Sequence, residues 1–251
     1  MLQVAVMNES TAISDADVQK MLPAFEQQVN KDLSQFWNVL EAKFSFVPAG
    51  SPPPGSWWVV FLDDSDQADA LAYHDLTADG LPLSKVFVKT LEADKASISV
   101  GATHEIVEMF VDPWLNGAYQ DANGTFWASE VADPVEDDEY GYEIDGILVT
   151  DFVTPSWFAH AHASTAYDFK GHAMKTFEIL SGGYAQKFDG KDWKQVTGTR
   201  AKSSLRAHAQ PGTRRDRRSR RTDGWTRSTP NFTQHRKALK RESPGRVAAP
   251  A

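Results

Sequence analysis

One stretch constrains this chain more than any other: SISVGATHEIVEMFVDPW, residues 97–114. Ser97 or Ser99 can cap a helix there. Asp112-Pro113 ends it, because proline disfavours helical geometry in the residue before it. Val100, Ala102, Ile106, Val107, Met109, Phe110 and Val111 make this helix apolar nearly all round, so it belongs inside the protein. Yet it carries His104, Glu105 and Glu108 in an H-E-x-x-E pattern. His104 and Glu108, four apart, point to the same side, and Glu105 lies beside them at the rim. Buried carboxylates are costly unless paired or bound to a cation. No Lys or Arg occurs between Ala96 and Phe169, so a divalent cation is the simplest partner. An imidazole and a carboxylate so placed hold two corners of a metal site, and Glu105 could take a proton from a metal-bound water.

Composition narrows the alternatives. The 251 residues, 41% of them hydrophobic, can bury a substantial core. The absence of cysteine excludes disulfides, thiolate metal sites and a cysteine nucleophile. No apolar run reaches the roughly 18 residues of a membrane span. The start, MLQVAVMNES, has no basic leader, so the expectation is a cytoplasmic protein. Charge is unevenly divided. Residues 201–251 carry 3 Lys and 11 Arg against 2 Asp and 1 Glu; this +11 within a total of −8 leaves −19 for residues 1–200. Sparse apolar residues and clustered arginines predict a disordered tail over 201–251. It reads either as an arm for nucleic acid or an acidic partner, or as a solvated extension offsetting the acidic body.

The remaining pattern predicts an α+β fold: a mixed twisted sheet, a backing helix and the helix at 97–111. Leu2, Val4 and Val6 alternate as a strand. Ser14 opens a short first helix, and after a kink a main helix starts near Pro23, the apolar stripe running from Val18 to Leu40. Lys43–Val47 reads as a short strand, Trp57–Leu62 as a central strand buried on both faces, Ala68–Asp75 as an edge strand and Lys85–Lys89 as a further strand. Three regions are expected: 1–135 with the sheet and both helices, a β-rich lower subdomain at 136–200, and the tail at 201–251. In the lower part, Glu143–Val153 and Thr176–Phe188 read as β structure around the turn Gly182-Gly183.

This order of strand, backing helix, three more strands, a further strand and an H-E-x-x helix resembles the upper half of zincin metallopeptidases, closest to the gluzincin type, over roughly residues 1–135. The chain is also similar to uncharacterised phage and bacterial proteins with H-E-x-x-E, which makes virion association an expectation. The zincin resemblance implies that His104 is the first metal ligand and Glu105 the catalytic base, with Glu108 standing where the family has a second histidine. It also implies a downstream acidic ligand. Glu130, 22 residues after Glu108, fits that place, and Asp133 could bind the metal or orient His104. The cation expected is Zn, with Mn, Fe or Ca also compatible with an oxygen-rich set. Glu136, Asp137, Asp138 and Glu139 read as a solvated loop or an oxygen-rich calcium-type site. His160 and His162 form an H-x-H pair that reads as a loop, and His172 follows. Tyr140, Tyr142 and Tyr184 could each donate to an oxyanion, Tyr142 being the one assigned. The functional expectation is a metal-dependent hydrolase, a peptidase or amidase acting on a peptide or protein. The alternative is a structural or interaction protein on the same fold, or an enzyme inactivated at Glu108.

Overall fold

The computed structural model describes residues 1–66, 70–158 and 166–199. The tail at 201–251, the His160/His162 pair and part of the predicted edge strand lie outside the described residues. The architecture is α+β. No helix among the described residues is long and apolar enough to cross a membrane.

The main sheet follows from the apolar runs. Strands β1 (Leu2–Asn8), β2 (Ala42–Phe46), β3 (Trp57–Leu62), β4 (Ala72–Leu76) and β5 (Pro82–Phe87) form a five-stranded sheet in the order β2-β1-β3-β5-β4. The first four in that order are parallel, and β4 runs antiparallel at the edge against β5. Strand β3 is buried along its whole length, as its unbroken apolar run requires. Alternation sends its side chains to two cores. Trp57, Val59 and Phe61 join the larger core with Val4, Val6 and Phe44, while Trp58, Val60 and Leu62 join a smaller one with Ala5, Met7 and Tyr73.

Helix α1 (Asp15–Gln27) starts at Ser14, whose hydroxyl accepts from the Asp17 amide. No separate helix starts at Pro23, and α1 passes through that residue without a break. The irregularity comes later, as a π-helical turn over Gln28–Asp32 and a 3-10 turn over Leu33–Gln35. That turn buries Gln28, whose amide donates to Thr150 O at 2.8 Å. The helical stripe also stops short of Leu40, which is exposed. Strand β5 ends at Phe87 rather than Lys89, because Val88–Ala93 forms a short helix, α2.

Helix α3 (Ile98–Val111) lies against β5 and β4 on the large-core side. Ser84 of β5 marks the contact, its hydroxyl reaching Glu105 O at 3.3 Å and Met109 Sδ at 3.4 Å. Ser97 caps the helix from below and donates its own amide to Asp138 at 2.7 Å. Asp138 is therefore a helix anchor and Glu136 is buried, so the acidic run is not simply a solvated loop.

A four-stranded sheet, order β11-β10-β7-β6, packs further along the chain: β6 (Ala118–Gln120), β7 (Phe126–Ala128), β10 (Tyr184–Phe188) and β11 (Trp193–Thr197). A hairpin of β8 (Tyr142–Ile144) and β9 (Ile147–Val149) turns at Asp145-Gly146, both with positive φ of 50° and 78°. Residues 176–180, read from sequence as β structure, form no strand. Residues on the two sides of the boundary expected at 135 share a sheet and a core. β7 pairs with β10 across it, and one apolar core runs from Val4 to Ala185.

Candidate metal centre

The buried helix delivers its polar residues to one place. Twelve of the fourteen α3 residues, Ser99 to Phe110, are buried, His104, Glu105 and Glu108 among them. At about 100° per residue, Glu108 projects between the other two, about 40° from His104 and about 60° from Glu105. The H-E-x-x-E spacing thus gives Glu108 a neighbour on each side.

On one side, His104 Nε2 stands 3.4 Å from Glu108 Oε1 and 3.1 Å from Asp133 Oδ1. Asp133 arrives from the segment after β7, where Asp133–Val135 makes a 3-10 turn. Glu108 itself holds that segment, its Oε1 accepting the amides of Ala132 and Asp133 at 3.2 Å each. Three further bonds fix the same segment: Val153 N to Val131 O (2.7 Å), Val135 N to Ala132 O (3.0 Å) and Leu180 N to Pro134 O (2.9 Å). Gly183 completes the packing. A Cβ there would stand 2.5 Å from Pro134 O and 2.8 Å from Asp133 O, so only glycine fits.

On the other side stands a residue that the sequence did not single out. His74 of β4 lies level with Ser84 in the antiparallel pairing, so it faces α3 as Ser84 does. Its Nδ1 is 3.1 Å from Glu105 Oε2 and 3.5 Å from Glu108 Oε2. Its Nε2 faces Glu130 Oε2 across 3.6 Å. Glu130 therefore sits with His74, not with His104 as the third-ligand reading expected. Glu105 is deeply buried rather than at a rim. The sequence marked His74 only as a residue of the predicted edge strand; its place beside α3 comes from the pairing of β4 with β5.

Comparison with known proteins returns no matching family model, no matching curated protein and no matching solved structure.

The donor set suits a cation on both sides of Glu108. His104, Glu108 and Asp133 converge with all three donor atoms within 4.8 Å of one another, and so do His74, Glu105 and Glu108. Donors around a four-coordinate zinc with bonds of about 2.0–2.1 Å stand about 3.3 Å apart, close to the spacings found. None of these five residues, nor Glu130 beside His74, exceeds 5% exposure. Asp133 adds a specific requirement, since its Oδ2 is buried and has no hydrogen-bond donor. Without a cation, a proton on His104 takes over part of that role. Burial opposes a charge on the His104 ring, but the carboxylates of Glu108 and Asp133 outweigh it and hold the ring well above its ordinary pKa.

Lys85, the buried lysine of β5, cannot serve. It alternates to the other sheet face, where it binds Asp66 and the Tyr73 hydroxyl. Tyr142, assigned to catalysis by sequence, has its hydroxyl engaged with Asp32 at 2.8 Å and Gln28 at 3.3 Å. Burial, then Asp32, push that phenol far above its ordinary pKa, which suits a structural donor. The ring of His172 packs beside Tyr140.

Proposed function

We propose that the chain is a metal-dependent hydrolase of amide bonds with a zincin-like upper half. The observation that carries this reading is the buried, donorless Oδ2 of Asp133 next to His104 and Glu108. The order of β1, α1, β2, β3, β4, β5 and α3 supports the fold half of the proposal. His104, Glu108 and Asp133 would hold the cation, Zn or Mn by donor type. Such a cation polarises a scissile carbonyl and makes a bound water nucleophilic near neutral pH. The chain supplies the rest. The Ala132 and Asp133 amides orient Glu108, and Glu105, steadied by the His74 ring, is the carboxylate that accepts the proton.

The test uses full-length protein loaded with Zn2+ or Mn2+ and a fluorogenic unfolded protein substrate. Glu105→Gln should keep a cation at the His104 side and lose cleavage by about 100-fold or more. Loaded wild-type protein that cleaves nothing would overturn the enzymatic reading. The second reading, a cation that only stabilises an interaction protein, has its own supporting observation: every side chain of the cluster is buried among the described residues.

A further inference from the structure

The two carboxylate oxygens of Glu108 face opposite ways. Oε1 is turned to His104 and receives the amides of Ala132 and Asp133. Oε2 is turned to His74. A carboxylate that binds one ion in a chelating fashion directs both oxygens to the same point; this one directs them to different imidazoles. Each imidazole has its own second carboxylate, Asp133 for His104 and Glu105 for His74, at the same 3.1 Å.

We propose that the cluster is a two-cation centre in which Glu108 bridges a first site of His104 and Asp133 to a second site of His74 and Glu105. This rests on the metal-binding reading above and extends it to a site that zincin resemblance does not imply. His74 would bind through Nδ1, the nitrogen nearest Glu105 and Glu108. Its other nitrogen faces Glu130, which then orients the ring from outside as carboxylates commonly orient metal-bound histidines. The charges agree. Counted as ionised, Glu105, Glu108, Glu130 and Asp133 carry four negative charges that neutral imidazole ligands leave untouched, and two divalent cations cancel them. One cation leaves two negative charges in a site of at most 5% exposure. The unsatisfied Oδ2 of Asp133 supplies independent support that a ligand belongs in the cluster. With both cations bound, Glu105 would ligate through Oε2, the oxygen beside His74, and keep its other oxygen for the proton, so its removal costs a cation as well as turnover.

Full-length protein is stripped with a chelator and titrated with Mn2+ alone. Bound Mn is counted by elemental analysis after gel filtration, and electron paramagnetic resonance follows each addition. The expected result is two Mn per chain, with the second addition replacing the isolated-ion spectrum by an exchange-coupled one. His74→Gln should bind one Mn and show no coupling. His104→Gln should do the same from the other side. A single Mn per wild-type chain, lost in His104→Gln and kept in His74→Gln, would overturn the two-cation proposal and leave the single-site reading standing. No bound Mn would overturn both. The wild-type count decides the matter even if a variant fails to fold.

Discussion

Removing divalent cations is the most informative perturbation of this protein. Glu105, Glu108, Glu130 and Asp133 bring four negative charges when ionised, and His74 and His104 return two at most. The cation-free cluster therefore keeps an excess of two in a site where no residue exceeds 5% exposure. Leaving a buried charge without its partner costs about 3–5 kcal/mol. A domain of about 150–250 residues shifts its midpoint by roughly 2–4 °C per kcal/mol, so loading with Mn2+ or Zn2+ should raise Tm by roughly 6–20 °C. The increment has a sign with pH. The pKa of His104 is raised in the folded state, so the stability from its proton is present at low pH and lost as pH rises through that value. The chelated protein should weaken as pH rises above the ordinary histidine value of about 6.5, while the loaded protein, whose ligands are already deprotonated, gains in comparison. Calorimetry of chelated and loaded samples across that rise reads both effects. Equal midpoints at about pH 8, with metal shown to be bound, would refute the charge argument.

Two other changes test the scaffold. Gly183→Ala places a methyl group within 2.5 Å of Pro134 O and 2.8 Å of Asp133 O, so the segment carrying Asp133 must move. A loss of about 1–3 kcal/mol in denaturant unfolding and weaker Mn2+ binding are expected, and unchanged affinity would show that Asp133 is not a ligand. Asp151, pushed up to about 9 by burial and then by neighbouring Asp168, should hold a proton when folded and lose it when unfolded. As a carboxylate its Oδ2 has no donor, whereas as a carboxyl it donates to Asp168. Stability from this group is full below about pH 4 and declines toward about pH 9, by up to about 1.4 kcal/mol per pH unit. Asp151→Asn, which keeps the group neutral, should flatten that slope; an unaltered pH profile would rule the shared proton out.

Much of the scaffold was legible because local rules decide it. The unbroken run Trp57–Leu62 could only be an inner strand, and Ser14 and Ser97 mark helix starts by side-chain chemistry alone. Pro23 misled because a proline costs a helix one bond, and packing of Val18, Ala24 and Phe25 holds the helix together through it. The short strands β6 and β7 were missed because three-residue segments carry too little periodicity, and only β10, nearly sixty residues on, defines them.

By itself the sequence determined that an apolar helix would bury His104, Glu105 and Glu108 in a stretch without Lys or Arg, since helical spacing and burial follow from residue order. The tertiary structure alone decided what meets them. His74 reaches Glu105 only because β4 pairs with β5 in a register that sets His74 level with Ser84, under α3. A slip of one residue would turn Tyr73 inward instead, because neighbouring side chains on a strand face opposite sides. That register is fixed by the packing of two cores, and no spacing along the chain encodes it.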